Sequence, residues 1–117
     1  MLMYSCVVSR AFAAKRSRLS DERVTKMARA FKALSDPTRL RLIGAILDEE
    51  RCVHDLCEEL ELEQSAASHQ LRILRNQNLV RTRKAGRHVY YRLDDEHIRS
   101  LFETALTHVA HTGKGDR

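Results

Sequence analysis

The chain has 117 residues, with 21 lysines and arginines against 16 aspartates and glutamates, a formal net charge of +5 and an isoelectric point near 9.4. This length makes one domain with a modest core, which a second copy would enlarge, and the basic balance points to a polyanionic partner. No apolar run reaches the length of a membrane span. Three cysteines without framework spacing exclude a disulfide scaffold and point to a reducing compartment, the cytoplasm.

Residues 1–19, MLMYSCVVSRAFAAKRSRL, carry Arg10, Lys15, Arg16 and Arg18 and no acid. Arg10 interrupts the apolar run, which disfavours a secretory signal, although the composition also suits an organelle transit peptide. Residues 1–19 are expected to form a flexible basic arm.

Ser20 is placed to cap a helix whose first turn holds Asp21 and Glu22. Val24, Met27, Ala28, Phe31 and Leu34 give that helix, 21–34, one apolar face. Ser35-Asp36-Pro37 restarts the chain with a capping side chain and a first-turn proline. Leu40, Leu42, Ile43, Ile46 and Leu47 predict a second helix over 37–48, and Asp48-Glu49-Glu50-Arg51 reads as a polar break. Val53, Leu56, Cys57 and Leu60 predict a third helix over 53–60. After a turn at Glu61-Leu62-Glu63, a fourth covers Gln64 to Asn76, with Ala67, Leu71 and Leu74 inward.

Two short helices joined by a three-residue turn form the helix-turn-helix pattern, whose second helix enters the major groove. The start of the fourth helix offers Gln64, Ser65, Ser68, His69 and Gln70, with Arg72 following. Hydroxyl and amide groups of this kind can bond base edges and phosphates. Leu79–Arg83 and His88–Leu93 are β-prone runs around Lys84-Ala85-Gly86-Arg87, a hairpin with glycine at the turn. The helix-turn-helix and the hairpin together predict a winged helix, a mainly α fold with a small β wing that puts Arg83, Lys84 and Arg87 on the DNA. Charge follows this division. Residues 20–63 hold seven bases and eleven acids, whereas 64–93 hold seven bases and no acid. A solvated basic face would not require that absence.

The last predicted helix runs from Asp95 to His111, with Ile98, Leu101, Phe102, Ala105, Leu106 and Val109 as its apolar stripe and 113–117 as a short tail. Asp95 and His97 stand near its start, His108 and His111 near its end. Carboxylate and imidazole are ligands of borderline divalent metals. His108 and His111 lie one turn apart, but His97 precedes His108 by eleven residues, about 16 Å of helix axis. One helix cannot close a site from both pairs, because a zinc–nitrogen bond is about 2 Å. Two antiparallel copies can, with Asp95 and His97 of one meeting His108 and His111 of the other. The spacing therefore predicts a homodimer with metal sites bridging the subunits at the last helices, and the expected dimer forms through the first and last helices. Histidines at helix ends are also common as plain solvated residues, and that bland reading stands beside this one.

Leu34-Ser-Asp-Pro-Thr-Arg-Leu-Arg-Leu42, Ser65-Ala-Ala-Ser-His-Gln-Leu-Arg-Ile-Leu-Arg75 and Gly86-Arg-His-Val-Tyr-Tyr91 resemble the ArsR/SmtB family of dimeric, metal-sensing winged-helix repressors. The resemblance spans about 24–111. Asp95-x-His97 with His108-x-x-His111 is similar to the family's C-terminal helix site for Zn(II) and Co(II). It implies an apo dimer that holds double-stranded operator DNA and releases it on binding zinc. It also implies DNA contacts at Gln64, Ser65, Ser68 and His69. A further implication is a coupling bond from the second ring nitrogen of His108 to the backbone carbonyl at Asn78.

Arg51-Cys-Val-His-Asp-Leu-Cys57 resembles the helix-three region where other members bind arsenite, cadmium or lead through cysteines. Here His54 replaces the middle cysteine, so Cys52, His54 and Cys57, with Cys6 from the arm, form an alternative site for Cd(II), Pb(II) or As(III). The bland reading makes Cys57 a core residue. Nickel sensors recruit additional ligands, and no histidine precedes His54 or follows His111, so four-coordinate zinc is favoured over Ni(II). An enzyme is disfavoured: four protein ligands would close the site, and no His-Glu-x-x-His occurs. A DNA-binding protein indifferent to metal would keep the basic segment and need no histidine cluster.

Overall fold

A computed structural model describes residues 19–112. The described residues divide into two compact units, one ending at Phe31 and the other starting at Lys32. Helix α1, Asp21–Leu34, crosses that division. Within the first unit, Ser20 Oγ accepts from the Arg23 N–H at 3.2 Å, the expected cap, and Lys26 and Glu22 pair one turn apart at 3.4 Å. Val24, Met27 and Phe31 are exposed on this helix.

The second unit contains α2 (Pro37–Ala45), β1 (Arg51–Cys52), α3 (Val53–Leu60), α4 (Gln64–Asn76), β2 (Val80–Ala85), β3 (His88–Leu93) and α5 (Glu96–Thr112). Asp36 caps α2, its side chain accepting from the Arg39 N–H at 3.1 Å, with Pro37 in the first turn. The helix stops at Ala45, three residues before the expected 48. The Ile46 N–H already donates to Leu42 and Ile43, and Asp48, Glu49 and Glu50 would sit badly at the negative end of a helix dipole. The acidic break then delivers a strand that periodicity could not show. Two-residue β1 pairs antiparallel with β3, Arg51 opposite Tyr91 and Cys52 opposite Tyr90. The wing is therefore the outer part of a three-stranded sheet in the order β1-β3-β2.

The β2–β3 hairpin runs from Val80 opposite Leu93 to Ala85 opposite His88, so its loop is only Gly86-Arg87, tighter than expected. Gly86 has φ +63, a conformation L side chains adopt rarely. Glu61 ends α3 in the same left-handed region, φ +55, and the Leu62 N–H donates back to the Cys57 carbonyl at 3.0 Å, which keeps the helix-turn-helix turn short. Leu42, Ile43, Ile46, Leu56, Leu71 and Leu74 are fully buried where α2, α3 and α4 meet, and Leu79 and Val80 join them from the base of the wing.

Only part of the expected α5 stripe reaches this core. Ile98 and Phe102 pack against it. Leu101, Leu106 and Val109 remain 40–56% exposed.

Candidate DNA-binding and metal-sensing sites

Ala67, Leu71 and Leu74 recur at four- and three-residue steps and bury one face of α4. The opposite face exposes Gln64, Ser65, His69 and Arg72, with Ser68 half-buried beside them. This is the geometry a recognition helix needs, with short polar groups on its first two turns and no acid. Gln70 is placed differently. It is half-buried, and its Oε1 accepts from Arg39 Nη1 at 2.8 Å, while Arg39 Nε donates to the Ala33 carbonyl. Arg39 thus ties α4 to the end of α1, and Gln70 acts as a strut on the inner edge of the recognition helix.

The wing presents its bases unequally. Lys84 and Arg87 are exposed at the tip. Arg83 is held by Glu50 at 2.7 Å (Nη2–Oε1), 3.1 Å (Nε–Oε1) and 3.2 Å (Nε–Oε2), and its guanidinium lies 4.8 Å from the Tyr90 ring centroid. The hydrogen bond from Arg83 holds the Glu50 carboxyl below its ordinary range against a smaller desolvation, with Arg92 adding to the effect. Arg81 pairs with Asp94 at 3.2 Å. Glu50 and Asp94 both lie outside the acid-free stretch, so charge counted by segment could not reveal that they neutralise two of its bases.

Asp94 and Asp95 open α5. The Asp94 N–H donates to the Leu79 carbonyl at 3.0 Å. Asp95 Oδ1 accepts from the His97 and Ile98 N–H groups at 2.9 and 3.1 Å, which makes Asp95 the cap of the helix. Its Oδ2 lies 3.5 Å from His97 Nδ1. Desolvation pushes the Asp95 carboxyl up, but the Ile98 N–H and the side chain and N–H of His97 outweigh it and hold it below the ordinary value. Oxygen and imidazole nitrogen are thus already side by side, a donor set suited to zinc. His108 and His111 are exposed at the far end of the helix. Among the described residues of one chain, no three His, Cys, Asp or Glu side chains converge as a metal cage.

Arg99, which no sequence motif singled out, anchors this end of α5. It donates to Asp48 at 2.8 Å and to the Leu47 carbonyl, and it pairs with Glu96 at 3.2 Å. Asn78, which the resemblance offers as the acceptor for His108, sits between α4 and β2 with φ +59.

In the helix-three region, Cys52 is buried and Cys57 half-buried. Burial pushes the Cys57 thiol up, and the neighbouring Cys52 adds to it. His54 lies exposed with its Nε2 3.5 Å from Glu58 Oε2. Cys52 stands at the end of β1 and Cys57 five residues on, within α3, while His54 is exposed; Cys6 lies outside the described residues.

Residues 36–82 match the family model described as bacterial regulatory protein, arsR family. A Synechocystis protein named transcriptional repressor SmtB homolog is 46% identical over 91 residues, 78% of this chain and 69% of that one. A Staphylococcus aureus protein named cadmium resistance transcriptional regulatory protein CadC homolog is 42% identical over 91 residues, 77% of this chain and 75% of that one. Among solved structures, the homodimeric winged helix-turn-helix DNA-binding domain of a possible ArsR-family regulator from Mycobacterium bovis superposes with a TM-score of 0.76 at 26% identity. That match covers 84% of this chain and 94% of the other. These relatives are transcriptional regulators, not enzymes, and no helix among the described residues is long and apolar enough to cross a membrane. The recognition helix, the basic wing and these likenesses agree: the chain belongs to the ArsR/SmtB family of winged helix-turn-helix transcriptional regulators.

Proposed function

We propose that this protein is a metal-responsive repressor, active in the cytoplasm, whose metal-free homodimer occupies operator DNA and leaves it when Zn(II) binds. The observation that carries the reading is the arrangement of α5. Asp95 and His97 meet at one end, His108 and His111 stand exposed at the other, and Leu101 and Leu106 are exposed between them. An antiparallel copy would cover those side chains and bring each acidic pair to a histidine pair, and the exposed Val24, Met27 and Phe31 give α1 a share in the interface. The relatives named transcriptional repressor and cadmium resistance transcriptional regulatory protein support a repressor that responds to metal, and the homodimeric state of the M. bovis domain supports a dimer.

Zinc would supply a four-coordinate link between subunits at this site. The remainder falls to the chain itself. Asp95 keeps Oδ1 on the α5 cap and has Oδ2 for a ligand. His108, coordinating through one ring nitrogen, has the other for the Asn78 carbonyl, and would thereby bias the end of the recognition helix. Gln64, Ser65, Ser68 and His69 read the groove, and Arg72, Lys84 and Arg87 hold the backbone. The ligand need only favour a dimer in which the two recognition helices no longer fit successive major grooves.

The free thiols of Cys52 and Cys57, at the start of and within α3, favour a second reading, a sensor of Cd(II), Pb(II) or As(III). Operator affinity with and without zinc, for the wild type and a Cys52→Ser/Cys57→Ser variant, separates the two. The α5 reading expects zinc to release both proteins, and His108→Ala to bind DNA yet ignore zinc. Release of the wild type alone, or by cadmium, lead or arsenite alone, would move the sensor to helix three. Operator binding unaffected by any metal would leave a metal-independent DNA-binding protein.

A further inference from the structure

We propose that Glu50 is an internal competitor of the DNA backbone for Arg83, and so sets how strongly the wing grips DNA of any sequence. The inference rests on the reading that the wing touches phosphates. Both Glu50 oxygens occupy the guanidinium, in three hydrogen bonds of 2.7–3.2 Å. A phosphate would engage the same planar set of N–H donors. The Tyr90 ring beneath the guanidinium narrows its freedom further.

The meeting is built into the sheet. β3 pairs with β2 on one side, placing Tyr90 opposite Arg83, and with β1 on the other, placing Tyr90 opposite Cys52. Glu50 immediately precedes β1, so backbone pairing carries it to the base of the wing. Arg81, two residues from Arg83 and on the same face of β2, is engaged by Asp94 in the same manner. Arg81 and Arg83 therefore have their charge answered from within the chain, while Lys84 and Arg87 at the tip have no ion pair among the described residues. The Arg83 side chain remains 54% exposed, so an approaching phosphate can reach it and contest the pair.

The test measures affinity for a short mixed-sequence duplex as a function of salt in four proteins beside the wild type: Glu50→Gln, Arg83→Ala, the double variant and Arg87→Ala. Each additional phosphate neutralised steepens the slope of log affinity against log salt by about 0.9. Glu50→Gln is expected to bind more tightly at low salt and to steepen the slope by about that amount per wing, an added loss of about 3.5-fold per wing between 50 and 200 mM salt. Arg83→Ala should stay near wild type, and the double variant should match Arg83→Ala, because the gain requires Arg83.

Weaker binding by Glu50→Gln would show that the pair positions Arg83 for DNA and would overturn the proposal. So would a gain that persists in the double variant, which would be a general loss of negative charge. If Arg87→Ala flattens the slope and Glu50→Gln leaves it unchanged, the competition is wrong while the wing reading stands. If neither moves it, the wing does not grip phosphates and both fall.

Discussion

Asn78 tests whether the junction between recognition helix and wing is held by backbone geometry. Its φ of +59 lies in the left-handed region. The turn is closed by two hydrogen bonds, Asn78 N–H to the Arg75 carbonyl at 2.9 Å and Leu79 N–H to the Leu74 carbonyl at 3.0 Å. Leu74 and Leu79, at the two ends of the second bond, are both buried in the core. This is a Schellman turn with its apolar contact in place. With Leu79 anchored, residue 78 cannot relax to negative φ without withdrawing a core side chain. A left-handed conformation costs a residue bearing Cβ about 1–2 kcal/mol, of which asparagine avoids part through local polar contacts. Asn78→Ala should therefore lower stability by about 1 kcal/mol, or about 4–8 °C in Tm for a domain of this size. Asn78→Gly should stay within about 0.5 kcal/mol of wild type, since glycine carries no such strain but has more chain entropy to lose. Urea and thermal unfolding at one fixed protein concentration measure both, because stability of a dimer depends on concentration. An alanine variant as stable as wild type, or a glycine variant less stable than the alanine one, would refute the reasoning.

Two further outcomes are expected. Asp95→Asn should leave the α5 cap nearly intact, since an amide oxygen can still accept from His97 and Ile98, yet weaken zinc binding in a chelator competition by more than about tenfold; undiminished zinc affinity would remove Asp95 from the ligand set. Both Asp95 and Glu50 have carboxyl groups held below their ordinary values of 3.8 and 4.5. Their contribution to stability is present above those values and lost as pH falls through the lowered folded values, so acid titration of a Glu50→Gln/Asp95→Asn variant should show a shallower loss below the ordinary carboxylate range than the wild type.

The order of the five helices and the two hairpin strands, the helix-turn-helix and the family were legible in the amino-acid sequence. These follow from local causes: three- and four-residue apolar steps, Ser20 and Asp36 as caps, Pro37 in a first turn and Gly86 at a turn. The residue types at positions 95, 97, 108 and 111 are plain in the sequence, and helical rise converts their spacing into the distances on which the proposed site rests. Other features depended on residues far apart in the chain. Strand β1 is two residues long and carries no period, and exists because β3 offers it an edge. The α5 stripe splits between core and surface, with Ile98 and Phe102 packed on the core and Leu101, Leu106 and Val109 exposed. Gln70 became a strut through Arg39, and Arg81 and Arg83 were answered by Asp94 and Glu50, charges that a segment count assigns elsewhere. Periodicity reports which face of an element is apolar; only the assembled fold decides how much of that face is covered and which charges meet.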